Sequence, residues 1–500
     1  MRTEYSIKNS ITSFISNIVT FVLLFVSQTI FIKVFGVEYN GLSGLFSNIL
    51  TLLNLFELGI SSSITYNLYK YTKEKDIETI KSIMRFYKKA YNYVSVIITI
   101  VGLLFIPFLK HIVNDMTADI NIYFVYLFFL INTVSTYLIS YKRNLLNAYQ
   151  RSYIINIIHI ICTFLVNLLQ ILVIYITKNY YLYLMVKILC IILENLIISY
   201  KVNRDYPYML DKNIKHLETK TKKNISDRIK ALFVHRMSFV ITNGTDNIII
   251  STFIGIKVLG IYTNYFYIIK MVKTLLVNTI TSITASVGNL LLENDYEKNY
   301  STFRKTNFLF LWLAIFTSTC LLLLINPFIT IWLGKEFLLD RFVLIILVIN
   351  YFQTVIRYSY SIFKDGAGIW IEDKYVAIIQ AILNVFFSIL LVKIIGLAGV
   401  FMGTIISSLV LWLYTYPKFV YKRLFNKNLA AYLNHILIDL LLFVIINLIS
   451  YGVNIYSTNI FISFIICLIV PNIILYIIFN NTDEFIYYKK LLIKMIRKKI

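Results

Sequence analysis

The chain reads as an all-α polytopic membrane protein: fourteen transmembrane helices, in two six-helix lobes forming a parallel repeat around a central cleft, plus two C-terminal helices. Three observations predict this class. Hydrophobic residues make up 58% of the 500 and mean hydropathy is +0.74, above the range of soluble domains. The apolar runs are long and continuous, with only 5 prolines and 16 glycines in the whole chain, unlike the short alternating strands of an outer-membrane barrel. The chain also resembles itself at an offset of 219 or 220 residues.

At about 20 apolar residues per span, helices are expected at 11–32, 41–68, 91–109, 121–141, 153–177 and 181–200. After a polar interval come 230–254, 260–291, 307–332, 341–363, 374–393, 396–416, 430–452 and 459–479. The first run is too long for a signal-peptide core and no small-residue cleavage site follows, so it reads as a retained helix. Lysine and arginine test the count. With the N-terminus in the cytoplasm, the inner side collects 38 and the outer side 7, leaving Lys187, Lys270 and Lys273 within helices. A missed or extra helix would scramble that bias. Both termini are therefore placed in the cytoplasm.

The net charge of +23 has the same origin: basic residues beside anionic lipid, with no nucleic-acid partner expected. The four cysteines (Cys162, Cys190, Cys320, Cys467) sit in apolar segments without C-x-x-C spacing, so neither disulfides nor a metal site is expected. The organisation is a six-helix lobe over 1–200, a basic cytoplasmic linker over 201–229, a second six-helix lobe over 230–416, and two further helices with a basic tail over 417–500.

The repeat is carried by scarce residues. Phe35-Gly36-Val37-Glu38-Tyr39-Asn40-Gly41 aligns with Ile254-Gly255-Ile256-Lys257-Val258-Leu259-Gly260, and Ile106-Pro107-Phe108 with Asn326-Pro327-Phe328. Six helices per half is an even number, so both halves enter the membrane in the same orientation and the repeat is parallel. Two such lobes suit alternating access to a substrate held between them.

On a helix at about 100° per residue, Ser47, Thr51, Asn54, Glu57, Ser61 and Thr65 of helix 2 fall on one arc. Lys270, Lys273, Thr274, Thr281 and Thr284 do the same on helix 8. The repeat sets Lys270 on Thr51 and Lys273 on Asn54. Polar faces within a membrane look towards a bundle interior or a wet cavity. Lys270 and Lys273 lie roughly 18 and 22 Å from the outer end of their helix at 1.5 Å per residue, where each cation costs about 2.5–3.5 kcal/mol. Two on one face suit a hydrated anion site; the alternative is snorkelling, or pairing with Glu57.

Asp246 on helix 7 corresponds to Ser27, beside Gln28, on helix 1. It reads either as a ligand for a coupling cation, proton or sugar, or as half of a structural pair with a lysine; Glu57 carries the same two readings, and Gln28 is a further candidate for coupling or sugar binding. Arg357, one turn after Gln353 on helix 10, either contacts substrate or snorkels. Lys187 and Glu194, seven apart, are expected to share a face of helix 6, and His159 to be simply hydrogen-bonded. Asn384 and Asn167 suit interhelical hydrogen bonds. No Walker A loop, G-x-S-x-G or H-E-x-x-H occurs, and the outer loops are too short for a catalytic domain; the chain is not read as an enzyme, and no cofactor is implied.

At EYNGLSGLFSNILTLLNLFELGISSSITYNLYK (38–70) and HRMSFVITNGTDNIIISTFIGIKVLGIYTNYF (235–266) the chain resembles the bacterial polysaccharide transporters. These are the Wzx-like flippases of the multidrug/oligosaccharidyl-lipid/polysaccharide (MOP) exporter superfamily. The likeness runs from about residue 2 to 430. It implies a V-shaped cleft lined by helices 1, 2, 7 and 8, in a bacterial cytoplasmic (inner) membrane. It also implies a cargo of undecaprenyl-diphosphate-linked oligosaccharide, with membrane lipids and other polysaccharide-assembly proteins as partners. The family varies in its charged cavity residues, so Lys270 and Lys273 rest on position alone. The alternatives are a small-molecule exporter of the multidrug and toxin extrusion (MATE) type, for which acidic cavity residues are expected, and a membrane-embedded glycan polymerase or ligase, which needs a large outer loop.

Overall fold

The computed structural model describes residues 2–57, 60–211, 217, 225, 237, 240–242, 244–293, 295–370, 372–455 and 459–497. Among them every regular element is helical. Most of the 201–229 linker, and the 230–239 part of expected helix 7, lie outside the described residues. Two compact units divide the chain, Met1–Gly260 and Ile261–Ile500.

In the first unit, α1 (Arg2–Phe35) stops at Gly36, whose φ of +92° is closed to most L side chains, and α2 (Val37–Leu53) starts at once. α3 (Ile60–Glu74) and α4 (Ile77–Phe105) follow. Pro107 converts the end of α4 into a 3-10 turn before the short α5 (Leu109–Ile112). Then come α6 (Ile122–Tyr137), α7 (Ser140–Ala148), α8 (Ser152–Thr177), α9 (Tyr180–Asp205) and α10 (Asp246–Phe253).

α11 (Ile256–Leu291) begins in the first unit, after Gly255 at φ +127°. Beyond it lie α12 (Tyr296–Trp332), α13 (Arg341–Gly366), α14 (Lys374–Ile395) and α15 (Leu397–Val410). α15 runs on as a π-helical stretch, Leu411–Lys422, into the single turn α16 (Arg423–Phe425). Pro417 sits inside that stretch; proline lacks the N–H and crowds the preceding turn, and a wider helix accommodates both. α17 (Leu429–Asn454), α18 (Ile460–Phe479) and α19 (Asp483–Arg497) complete the chain.

Short loops leave the first N–H groups of each helix to be satisfied locally. Asparagine and aspartate do this repeatedly: the side chains of Asp76, Asn121, Asn179, Asp295, Asp340, Asn428 and Asn459 each accept from an amide of the helix that follows.

Eleven helices among the described residues are long and apolar enough to cross a membrane. The remaining three of the expected fourteen are helix 7, largely outside the described residues, helix 8, continuous as α11 but bearing Lys270 and Lys273, and helix 2. Helix 2 departs from the expectation. Instead of one helix over 41–68, α2 ends at Leu53, a 3-10 turn covers Asn54–Glu57, and α3 starts at Ile60. A 3-10 turn advances 120° per residue rather than 100°, so Asn54 and Glu57 of the turn do not keep the helical phase of Ser47 and Thr51 on α2. At the break Glu57 accepts a hydrogen bond from Tyr91 at 2.5 Å and another from Tyr137.

The two C-terminal helices belong to the second unit and are bonded to α12. Asn307 donates to Asp439 (3.0 Å), Thr319 to Asn447 (3.2 Å) and Trp312 to Asn472 (2.6 Å). Phe352 stacks on Phe443 with centroids 4.0 Å apart.

Candidate functional site

In the first unit, the outset of α2 and that of α11 meet backbone to backbone. A Cβ on Gly41 would lie 2.2 Å from the Ile256 carbonyl oxygen, and one on Gly260 would lie 2.1 Å from that of Val37. The two repeat-related glycines therefore pack reciprocally. Asn40 spans the contact, donating to the Gly260 carbonyl at 2.9 Å. Gln28, a candidate for coupling or sugar binding, donates in turn to Asn40 at 2.6 Å. Repeat-related Glu38 and Lys257 carry opposite charges that attract. Glu38 also accepts from Thr117 Oγ1 (2.7 Å) and from the Thr117 and Ala118 amides (3.0 and 2.8 Å). Burial pushes its pKa up, but these hydrogen bonds and Lys257 outweigh it and hold the carboxyl below its ordinary value.

Further along, α2 and α10 pack through Leu52 and Gly244, and Asn247 donates to the Gly44 carbonyl at 3.3 Å. Asn54 and Asp246 each lie two residues from that crossing. Each has one buried side-chain oxygen, Oδ1, without a hydrogen-bond partner. Thr51 is exposed, its hydroxyl returned to the Ser47 carbonyl at 2.7 Å. Glu57 is held by Tyr91 and Tyr137 and borders a polar cavity of about 340 Å³ with Arg143, Asn144, Asn147, Ser152 and Asn156.

In the second unit, α11 presents Lys270 exposed, its Nζ 5.7 Å from the Phe266 ring. Lys273, one turn on, is half-buried, and Arg357 of α13 lies close enough for the two like charges to repel. Thr274 returns its hydroxyl to the Lys270 carbonyl at 2.8 Å. The side chain of Thr281 lies outside the described residues. Among the described residues no carboxylate pairs with Lys270, Lys273 or Arg357. Gln353 is a packing residue, bonded to Asn350 (2.8 Å) and Ser408 (2.5 Å). α11 and α13 approach again at Gly288 and Gly366, where a Cβ on Gly366 would stand 3.2 Å from Gly288 N.

Two local expectations are corrected. Lys187 and Glu194 lie on one continuous helix, seven residues and about 10 Å apart along its axis, but each finds its partner elsewhere. Glu194 instead pairs with Arg143 at 2.9 Å and His159 at 3.3 Å, and Lys187 sits over the Phe129 ring. Asn167 bonds within its own helix, to the Thr163 carbonyl, whereas Asn384 does bridge two helices, to Thr404 at 3.0 Å. The residues that sequence reasoning overlooked are Asn40 and Arg143; an asparagine beside a turn glycine is the one local signal either offered. The described residues contain no group of three or more potential metal ligands.

Solved structures share the fold. The lipid II flippase MurJ, in an inward closed conformation, aligns with a TM-score of 0.64 at 17% identity, over 97% of this chain and 100% of its own. An inward-facing multidrug resistance MATE family transporter of the MOP superfamily reaches 0.60 at 14% identity, over 78% and 91%. A mutant of the Vibrio cholerae MATE transporter VcmN reaches 0.57 at 11% identity, over 85% and 99%. The fold is that of the MOP transporters. The proteins that share it here are transporters, and the chain is a multi-pass helical membrane protein of their architecture. No protein-family model matches it, and neither does any curated protein.

Proposed function

We propose that the chain is a flippase, moving undecaprenyl-diphosphate-linked oligosaccharide from the inner to the outer leaflet for surface polysaccharide biosynthesis. The observation that carries this reading is the trio Lys270, Lys273 and Arg357, cations on membrane helices with no carboxylate among the described residues to neutralise them. Each would cost about 2.5–3.5 kcal/mol at mid-membrane, a cost that a doubly anionic diphosphate offsets. The neutral groups Thr51, Asn54 and Thr274 suit a glycan, and Asp246, with its unsatisfied oxygen, is the candidate for coupling or sugar binding. In this reading the lobes 1–200 and 230–416, linked through 201–229, rock about the cargo. The polyprenyl tail stays in lipid, and residues 417–500 ride with the second lobe. Coverage of 97% by the lipid II flippase, against 78% and 85% by the MATE transporters, supports a flippase over a drug exporter.

The test is translocation of a fluorescent undecaprenyl-diphosphate oligosaccharide in proteoliposomes. A hydrogen bond to a charged group contributes about 1.5–3 kcal/mol, so Lys273→Ala/Arg357→Ala is expected to slow transfer at least about tenfold at equal protein level. Normal transfer by that variant removes the anion site. Transfer of an organic cation with none of the lipid would instead assign the drug-export reading.

A further inference from the structure

A second cationic site lies in the first unit, apart from the trio. α4 begins with a basic stripe: Lys81, Arg85, Lys88 and Lys89 recur at helical spacing and share one face. They line a cavity of about 540 Å³ together with Lys142 of α7, Asn203 of α9 and the segment Tyr208–Asp211. Five cations and one carboxylate line it. Asp211 is spent on Lys81 at 3.1 Å, which Glu78 also contacts at 2.5 Å. Lys142 is 9% exposed and is held by neutral groups, Ser199 at 2.6 Å and Asn203 at 2.9 Å, with Lys88 close enough to repel it. Lys88, Lys89 and Lys142 have no carboxylate partner among the described residues.

Lysines beside a membrane ordinarily point into water as topology signals. These converge on a concavity, and one of them is buried there without a counter-ion, which costs free energy unless an anion occupies the space. The same face of α4 then changes character. Beyond Asn92 it continues as Tyr93, Val96, Ile100 and Leu103, which are 70%, 55%, 53% and 46% exposed, an apolar stripe left largely open among the described residues. Met84, Met209 and Leu210 add apolar surface to the lining of the cavity. One continuous face thus offers cations at the head and hydrocarbon above it.

We propose that this cavity binds the phosphate of an anionic phospholipid, whose acyl chains lie along Tyr93, Val96, Ile100 and Leu103. A free phosphate would use the cations alone and leave the apolar stripe idle. The proposal stands independently of what the protein transports.

Native mass spectrometry of the purified full chain, titrated with dioleoyl-phosphatidylglycerol or dioleoyl-phosphatidylcholine, tests it. The glycerol lipid is expected to remain bound and the choline lipid to wash off. A lysine near a charged lipid surface contributes about fivefold in affinity, so Lys88→Gln/Lys89→Gln is expected to weaken phosphatidylglycerol roughly 30-fold. Lys88→Arg/Lys89→Arg is expected to retain it. Both lysines are exposed, so folding is preserved, and a thermal melt of each variant checks this. Equal phosphatidylglycerol binding by wild type and the glutamine variant overturns the proposal. So does equal retention of the choline lipid, or displacement by inorganic pyrophosphate at millimolar concentration, which would assign the cavity to a soluble phosphate.

Discussion

Gly41→Ala is the sharpest perturbation the structure offers. The new Cβ would meet the Ile256 carbonyl oxygen at 2.2 Å and Gly260 N at 3.1 Å. Real Cβ atoms essentially never come within 3.0 Å of a neighbour, so the two backbones must part by about 0.8 Å, the difference between 3.0 and 2.2 Å. Backbone cannot swing aside as a side-chain tip can. A shift of that size also takes the 2.9 Å bond from Asn40 to the Gly260 carbonyl out of hydrogen-bond range. Overpacking costs about 1–3 kcal/mol and the lost bond about 0.5–1.5 kcal/mol, against about 1 kcal/mol gained from alanine's helix propensity. The net, about 0.5–3.5 kcal/mol, corresponds to a fall in Tm of roughly 1–14 °C for a unit of this size. Thermal unfolding in detergent measures it, with Gly452→Ala in α17 as control. A Cβ there meets nothing within 4 Å, so that variant should melt at or slightly above wild type. If Gly41→Ala melts together with Gly452→Ala, the backbone contact is not what holds the two helix ends together.

Two further outcomes are expected. Glu38 has a folded-state pKa below its ordinary 4.5, so its contribution to stability is full above that pH and lost as pH falls through the lower folded value. Melts of wild type and Glu38→Gln should therefore converge below pH 4.5 and separate above it; a gap independent of pH would mean that the charge is irrelevant. Lys364 reaches Asp373 at 2.6 Å, and that aspartate is 2% exposed. Lys364→Met strands it at a cost of about 3–5 kcal/mol, most of which Lys364→Met/Asp373→Leu should recover. Unfolding titrations that rank the double variant below the single one would contradict this.

What could be read from sequence was whatever depends on local pattern. Apolar run length located the helices, and paired glycines at a fixed offset marked Gly36 and Gly255, which the structure places between helices; their positive φ was not read from sequence. Aspartate and asparagine at helix starts follow the same local logic. What escaped depends on partners distant in the chain. The break at Asn54–Glu57 is anchored by Tyr91 and Tyr137, on other helices, and nothing near residue 57 announces them. Glu194 chose Arg143, 51 positions upstream, over a lysine two turns away on its own helix. Gln28 was legible as polar, but only Asn40 in place shows that its amide is occupied. The cations Lys270, Lys273 and Arg357 were visible from the cost of charge in a membrane; that Lys273 and Arg357 are neighbours required two helices to be folded together.

The attraction between Glu38 and Lys257 is one that a symmetric junction could not have. Two identical halves meeting about a two-fold axis would place the same residue at both related positions, glutamate facing glutamate or lysine facing lysine, and the junction would repel itself. Opposite signs there are open only to halves that are encoded separately within one chain. Gly41 and Gly260 still obey the symmetric rule, because close backbone approach makes the same demand on both sides. The charges beside them do not. Across this junction the steric demand is common to both sides, while the charges differ and attract.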